Sequence, residues 1–293
     1  MPNTSNYDMI TPTALLMAYY RSFSDIPYAK QCSTVLGGER AARLMLGEDL
    51  ELLTIHTSPF IEARYKCFDR FIAHHDNVLE LAMGASVERG IGIAADPCKV
   101  YVGTDLADMI MAAGELVDTI QAERHPNHHL DVANALYYGD LLQAAKRFVS
   151  PRELLVIHEG FFQYLTADEQ VACARSIYHL LKKYGGRWVT PDILSVESSS
   201  HDATALGPEL SAAINRTIQR IYKVTDRRPD NGYFRTESEA SRFLQECGFS
   251  FQQHPISLDA SSLSTMERLW GDRERRAYEP LLRRQCVWVM SPL

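Results

Sequence analysis

Short apolar runs alternate with helical segments through the middle of this chain. Between residues 77 and 192, runs rich in Val, Leu and Ile occur at 78–81, 100–103 and 154–157, and a shorter run starts at Trp188. Apolar runs of this length, bounded by turn residues, predict buried strands, and the 3.6-residue periodicity between them predicts helices. Such alternation is typical of a parallel sheet with right-handed crossovers.

The flanking segments have a different character. Residues 1–74 show helical periodicity and no clear strand, so we expect a helical cap over the sheet edge and the mouth of the site. Residues 77–194 form the core. Residues 195–240 combine a small, polar, loop-like stretch with an amphipathic helix (ELSAAINRTIQRIYKV), which predicts a lid insertion with residues 198–208 as its hinge. Residues 241–293 return to the core with two further strand patterns, FSFQQHPI and RRQCVWVMS.

Composition limits the classes of protein to which this chain can belong. A chain of 293 residues, 46% hydrophobic and 23% charged, can bury a sizeable core. Lysine and arginine number 30 against 37 acidic residues, which argues against a nucleic-acid partner. No run approaches the ~18 apolar residues of a spanning helix, so no membrane attachment is expected. The six cysteines include no C-x-x-C pair and the histidines lack ligand spacing, which predicts a reduced, cytoplasmic protein without a metal.

A glycine turn followed by an acid is the first candidate for chemistry. In NVLELAMGASVERG, Gly84 comes after the first apolar run, and Asp105 closes the second run about 20 residues later, where a carboxylate can bind a ribose diol. Ala82 and Ser86 occupy places where the dinucleotide fingerprint needs glycine, so a nicotinamide-binding Rossmann domain is the weaker alternative. A cofactor with a ribose and no phosphate does not require these glycines, and S-adenosylmethionine is the common cofactor of this kind. An ordinary crossover without a ligand is the other alternative.

A second polar group follows the third apolar run. His158 and Glu159 come directly after LLVI, at the strand end where open parallel sheets bind ligands. The TADE sequence at 166–169 is a capping box, which predicts a helix from there to about Lys183. Asp192 stands after the last run of this region, and we expect a structural or lid-anchoring role for it.

Together these segments resemble the leucine carboxyl methyltransferase family. The resemblance is greater to its bacterial branch of secondary-metabolite O-methyltransferases, which includes the tetracenomycin-type polyketide carboxyl methyltransferase. It spans most of the first two hundred residues and is carried by SNYDMITPTALLMAYYRSFSDIPYA, ARYKCFD, VLELAMGASVERG, YVGTDLADM, NHHLDVANAL, HEGFFQYLT and GGRWVTPDI. It implies an α/β class I methyltransferase fold: one Rossmann-like domain with a seven-stranded sheet, an antiparallel last strand, a helical cap and a lid after strand five.

The resemblance also implies which residues bind S-adenosylmethionine. Arg64 would reach the cofactor's carboxylate, and Asp105 would hold the ribose hydroxyls. Asn134 and Ala135 replace the family's usual Asp-Leu pair at the adenine, with Asp140 as a second candidate for that contact. The full cofactor-binding set is Arg64, Ala82, Gly84, Asp105, Leu106, Asn134, Ala135 and Glu159.

For catalysis the resemblance implies Tyr164, near the reacting carboxylate, and we expect His158 to face the same pocket. A carboxylate acceptor is already ionised and needs no base, whereas a phenol would need one, and His158 is the candidate. The expected function is therefore methyl-ester formation on a small biosynthetic acid. The alternatives are O-methylation of a phenol, enol or other acidic hydroxyl, and a non-catalytic S-adenosylmethionine-binding protein of the same fold. The only partner expected is a small-molecule substrate, and the oligomeric state is left open.

Overall fold

A seven-stranded sheet organises the computed structural model, which describes residues 12–121, 123–149, 152–225, 228, 230–256 and 263–293. Its strand order is β3-β2-β1-β4-β5-β7-β6. The first five strands pair in parallel, and β7 lies antiparallel to both β5 and β6. The strands are β1 (Asn77–Glu80), β2 (Val100–Asp105), β3 (His128–Val132), β4 (Leu154–Ile157), β5 (Gly186–Thr190), β6 (Phe249–Pro255) and β7 (Cys286–Pro292).

This topology confirms the predicted class I methyltransferase fold. Strands β1 and β4 are fully buried because helices cover both faces of the sheet, which is why they read as continuous apolar runs. The chain order reverses between β1 and β4, so the loops that leave their carboxyl ends diverge and open a crevice at that edge. The predicted antiparallel final strand is also confirmed.

Four helices connect the parallel strands: α6 (Val87–Ala94), α7 (Ala107–Ile120), α8 (Tyr138–Ala144) and α9 (Ala167–Tyr184). The predicted capping box opens α9. The Glu169 N–H donates to Thr166 Oγ1 at 3.3 Å, and the Thr166 N–H donates to the Glu169 carboxylate at 2.9 Å. Gly185, with φ of +74°, ends the helix.

The N-terminal part is helical, as expected. It comprises α1 (Pro12–Arg21), α2 (Ala29–Leu36), α3 (Gly38–Leu46), α4 (Leu50–Lys66) and α5 (Asp69–Ile72). Helix α1 packs on α2, α3 and α4 through buried apolar side chains that include Leu16, Leu46 and Leu53. Residues 1–11, which belong to the predicted cap and to the first of the resembling segments, lie outside the described residues.

The region after β5 corrects one expectation. Residues 198–208 were expected to form an irregular hinge, but they belong to α10 (Val196–Leu206) and the start of α11 (Pro208–Thr225). The Ser195 hydroxyl accepts the Ser198 N–H at 3.1 Å and caps α10, and the helix packs against α11 and the later helix α14 (Asp272–Arg284). Tertiary packing thus outweighs the loop-like composition.

The C-terminal part completes the sheet. Helix α12 (Glu237–Glu246) precedes β6, and α13 (Ser264–Leu269) and α14 lie between β6 and β7. The buried Glu62 carboxylate of α4 accepts the backbone N–H groups of Ser264 and Thr265, and this fixes α13 against the cap. Of the helices in the described part of the chain, none has the length and apolarity needed to cross a bilayer.

Candidate functional site

The glycine turn is tied to the end of β2. The Gly84 N–H donates to Asp105 Oδ2 at 2.8 Å, and the Leu106 N–H donates to Asp105 Oδ1 at 2.7 Å. Gly84 and Ala82 have φ of +56° and +47°, so the turn curls in the left-handed region at two places. A carboxylate offers about four acceptor positions, which leaves Asp105 capacity for two more donors such as ribose hydroxyls. Burial raises the pKa of Asp105, while these two backbone hydrogen bonds oppose that effect.

Helix α1 lies directly across this turn. A Cβ added at Gly84 would stand 3.8 Å from the Ala14 Cβ. Met83 and Ala85 pack in one buried cluster with Ala18 of α1. Helix α1 of the N-terminal helical part therefore packs directly on the glycine turn.

Of the two adenine candidates, Asn134 lies in the turn after β3 and Asp140 lies in the first turn of α8. The Asn134 N–H donates to the Asp140 carboxylate at 3.0 Å, and Asn134 Oδ1 accepts the Leu136 N–H at 3.0 Å. Ala135 is buried in the core beneath them. Large apolar side chains stand exposed at the adjoining strand ends: Leu106 (59%), Val132 (60%) and Tyr137 (62%). Such side chains can pack against a flat ring.

A buried arginine joins the other half of the site. Arg64 of α4 donates to Asp192 Oδ1 at 2.7 Å, and its Nε lies 3.5 Å from the Glu159 carboxylate. The side chain of Arg64 is 17% exposed, and its guanidinium is held between the two acids. Among the described residues, Arg64 Nε has no hydrogen-bond partner. The structure thus brings the predicted Arg64 and Glu159 together.

A second arginine beneath the first has no counterpart in the sequence prediction. Arg89 of α6 lies 3.2 Å from the Glu80 carboxylate and 3.3 Å from that of Glu159, with its guanidinium 3.8 Å from the centre of the Tyr65 ring. Tyr101 donates to the other Glu80 oxygen at 2.8 Å. The sequence does hold a signal for Glu80, because Glu80 is an acid at the end of a short, mainly apolar run that predicts a buried strand.

A third buried pair completes the network. Arg21 of α1 lies 2.7 Å from the Glu88 carboxylate of α6, and both side chains are almost fully buried. Three arginines and four carboxylates thus meet under the carboxyl edge of β1 and β4. A buried charge cluster of this kind persists only where the groups are paired.

Asp192 organises the turn after β4. Its carboxylate accepts the backbone N–H groups of Gly160, Phe161 and Phe162 at 2.8–3.2 Å, besides the bond from Arg64. Burial alone would raise the pKa of Asp192, but the hydrogen bond from His158 and the Arg64 charge lower it well below its ordinary range. The expected structural role of Asp192 agrees with these contacts.

His158 does not line the crevice, contrary to the sequence expectation. Its side chain is fully buried, and Nδ1 lies 3.1 Å from both Asp192 Oδ2 and Thr190 Oγ1. The ring stacks on Phe162 at 5.7 Å and packs beside Trp188 at 5.7 Å. These aromatic rings and the two hydrogen bonds hold the imidazole in the core, below the turn that carries Glu159.

Two tyrosines approach Arg64 from separate elements. Tyr164 comes from the 3-10 turn Phe162–Tyr164 and interacts electrostatically with Arg64 and Asp192. Tyr233, from the segment after α11, interacts with the same two groups. Burial raises the pKa of both phenols, that of Tyr233 to about 12. Tyr233 was missed in the sequence because its position depends on how the segment after α11 folds back.

Comparisons with known proteins support this fold. No protein-family model matches the sequence, and no curated protein matches it. A DUF574 family protein from Streptomyces avermitilis is similar with a TM-score of 0.52, at 14% identity over 96% of both chains. Human N-acetylserotonin methyltransferase, solved in complex with S-adenosylmethionine, gives a TM-score of 0.45 at 11% identity, covering 92% of this chain.

An O-methyltransferase family protein from Burkholderia thailandensis gives a TM-score of 0.46 at 11% identity, covering 96% of this chain and 71% of its own. The chain spans 59% of the length of the human protein. At 14% identity, the similarity to the Streptomyces avermitilis protein shows a shared fold alone.

Proposed function

We propose that this protein is an S-adenosylmethionine-dependent O-methyltransferase that forms the methyl ester of a small biosynthetic acid. The observation that carries the proposal is the 2.8 Å hydrogen bond from the Gly84 N–H to Asp105, which fixes a left-handed turn beside a carboxylate at the carboxyl edge of the sheet. Ligands of open parallel sheets bind at this edge, at the point where the strand order reverses.

The residues present fit each part of the cofactor. Asp105 retains acceptor capacity for two ribose hydroxyls, and the exposed Leu106 and Tyr137 offer apolar surface for the adenine. On the other side of β1, we assign the α-carboxylate to the guanidinium of Arg64, which lies between Asp192 and Glu159, and the ammonium to the Glu159 carboxylate. The cofactor-binding residues that we propose are those that the resemblance implies: Arg64, Ala82, Gly84, Asp105, Leu106, Asn134, Ala135 and Glu159.

Methyl transfer asks little covalent chemistry of the chain. When bound, the cofactor supplies an activated methyl group on a sulfonium. The chain's own contribution is to orient the acceptor oxygen in line with that methyl group and to exclude water, effects that supply several kcal/mol of the barrier. Helix α1, which packs on Gly84, would exclude water. Tyr164, which interacts with Arg64, would orient the acceptor oxygen.

A carboxylate acceptor fits better than a phenol. A phenol has a pKa near 10 and needs a base, and the imidazole expected to serve, that of His158, is buried against Asp192 and Thr190. A carboxylate needs no base at neutral pH. The resemblance to the carboxyl methyltransferase family supports the same choice.

Isothermal titration with S-adenosylhomocysteine tests the cofactor assignment. Asp105→Ala should weaken binding at least about tenfold, because a ribose contact is worth about 1.4 kcal/mol or more. Asp108→Ala is the matched control, since Asp108 is an exposed acid in the first turn of the same helix. Wild-type protein that is folded and gives no heat with this ligand or with S-adenosylmethionine would refute the proposal.

A further inference from the structure

Two arginines of α11 bind the corner between α3 and α4. Arg216 donates from Nε and from a terminal nitrogen to the two carboxylate oxygens of Asp49, at 2.9 Å and 2.6 Å. Arg220, one helical turn further on, donates to the carbonyls of Met45 and Leu46 at 2.8 Å and 2.7 Å. The last carbonyls of a helix have no partner within the helix, and the guanidinium fork matches a carboxylate. Both arginines therefore join α11 to the helical cap by charge-assisted hydrogen bonds.

Helix α11 also packs against the candidate site through apolar side chains. Leu210, Ala213 and Ile221 lie on one stripe of α11 and are buried in a cluster with side chains of α1, α3 and α4. Tyr164, the candidate catalytic tyrosine, packs against the same cluster. Helix α1 in turn lies on Gly84. Through this cluster α11 therefore contacts both the turn that carries Tyr164 and the helix that lies on the glycine turn.

The polar contacts of α11 are open to water, unlike the ion pair that holds α1. Arg21 of α1 and Glu88 of α6 are 2.7 Å apart, with side chains only 4% and 1% exposed. Pulling them apart would leave two unpaired charges in the core, which is strongly unfavourable. The side chains of Arg216 and Arg220 are 44% and 35% exposed, so water can solvate both guanidinium groups when their contacts break. We therefore expect α11 to separate from the cap more easily than α1 separates from the core.

One glycine forms the connection at the start of α11. Gly207 stands between Leu206, the last residue of α10, and Pro208, the first of α11, and its φ of +79° lies in the region that favours glycine. Apart from its chain neighbours, no atom of the described residues lies within 4 Å of the place where its Cβ would stand. Helix α10 itself is held, because the Val196 N–H donates to the Phe234 carbonyl at 2.8 Å. Gly207 can therefore act as a hinge about which α11 moves while α10 stays in place.

We propose that these contacts form a releasable clasp: Arg216 and Arg220 on α11, with Asp49 and the two terminal carbonyls of α3 on the cap. When the clasp is closed, it holds α11 against the cluster on which Tyr164 packs. When it opens, α11 turns about Gly207 and the cofactor can enter or leave. The clasp thus sets the rates of cofactor binding and release, an inference that rests on the proposed function. Salt screens exposed charges, so higher ionic strength should favour the open state.

The experiment uses the full chain and the variants Arg216→Gln, Asp49→Asn and the double variant. Lys223→Gln is the control, because Lys223 is an exposed cation on the same helix and its loss changes the net charge as Arg216→Gln does. Surface plasmon resonance gives the association and dissociation rate constants of S-adenosylhomocysteine at about 0.1 M and about 0.5 M NaCl, between which screening increases strongly. Hydrogen exchange is measured on the ligand-free proteins.

We expect Arg216→Gln to raise both rate constants at least about fivefold and to change Kd less than about twofold, because the clasp opens more often whether the site is free or filled. Asp49→Asn should do the same, and the double variant should add little, since both changes break one contact. Added salt should accelerate the wild type more than Arg216→Gln. In the ligand-free variants, hydrogen exchange should become faster in α11 and stay unchanged in α1. Lys223→Gln should behave as wild type.

A merely structural contact at Arg216 would leave both rate constants unchanged or would change Kd together with them, and either result overturns the clasp. Equal acceleration in Lys223→Gln overturns it too, because charge alone would then explain the effect. Folded wild-type protein that binds neither S-adenosylhomocysteine nor S-adenosylmethionine contradicts the proposed function. Hydrogen exchange then tests the clasp alone: faster exchange confined to α11 in Arg216→Gln supports it, and exchange equal to that of wild type overturns it.

Discussion

The buried histidine at the start of β3 should make the protein sensitive to mild acid. His128 is 8% exposed, and among the described residues neither of its ring nitrogens has a hydrogen-bond partner. Burial, followed by the nearby positive charges of Arg124, His125 and His129, lowers the pKa of His128 to about 4. The imidazole is therefore neutral in the folded protein and must be protonated on unfolding at pH 5.

The size of this loss of stability follows from the difference between the pKa values of His128 in the unfolded and folded protein. An unfolded histidine titrates near 6.5, so folding lowers the pKa of His128. The contribution of neutral His128 to the free energy of unfolding is therefore fully present above pH 6.5 and is lost as the pH falls towards 4. Between pH 7 and pH 5 the loss from this one group is about 2 kcal/mol, and it reaches about 3.4 kcal/mol below pH 4. Losses of this size are a large part of the stability of a typical domain.

Urea unfolding at pH 7 and pH 5 tests this with His128→Leu, which removes the titrating group. The free energy of unfolding of the variant should fall between the two pH values by about 2 kcal/mol less than that of wild type. His74→Leu is the control, because the His74 side chain is exposed. Carboxylates contribute equally to both proteins and cancel in the difference. An identical pH dependence of wild type and His128→Leu would refute the reasoning.

Three further predictions concern the site. Arg64→Ala should destabilise the fold by about 3 kcal/mol, the low end for a broken buried ion pair, because Asp192 keeps three backbone N–H donors and Glu159 keeps Arg89. It should weaken S-adenosylhomocysteine binding more than about tenfold. Thermal unfolding and calorimetry check both, and an unchanged affinity would contradict the role of Arg64. His158→Asn should keep turnover on a carboxylic acid within about tenfold in protein shown to be folded, whereas a loss of about 10² or more, with unchanged cofactor affinity, would indicate a general base. Hydrogen exchange at residues 15–29 and 211–235 should become slower when S-adenosylhomocysteine binds, because α1 crosses the glycine turn and Arg216 ties α11 to Asp49 of the cap. Equal exchange in the free and bound states would mean that these segments do not respond to the ligand.

The strands could be predicted because burial on both faces leaves a local signature. The first run was expected at 78–81 and is found at Asn77–Glu80, and the helix expected from the TADE sequence begins at Ala167. Both depend on residues within a few positions of one another. The helix over residues 198–206 could not be predicted in this way, since its polar, small side chains favour a loop and its support comes from α11 and α14.

The same difference between local and long-range contacts decides which site residues could be predicted. Gly84 and Asp105 lie in one strand–helix–strand unit, and their pairing follows from the spacing. Arg64 meets Asp192 across 128 positions, and Arg89 meets Glu159 across 70. No local pattern encodes such pairs, because the partners are brought together by the sheet and the cap. For the same reason the resemblance could suggest Arg64 and could say nothing of Arg89 or Tyr233.

The buried charge network fixes the orientation of the side chains that we propose bind a zwitterionic cofactor. Removing charges from water is costly, and the cost is offset only when each group has a partner in good geometry. Here Arg89 is fixed by Glu80 and by the Tyr65 ring, and it supports Glu159 from below. Glu159 and Asp192 in turn hold Arg64, so the orientation of its guanidinium is set by folding. Under the proposed function, a ligand with one anionic and one cationic group would meet side chains that folding has already ordered, and its binding energy would not be spent on ordering them.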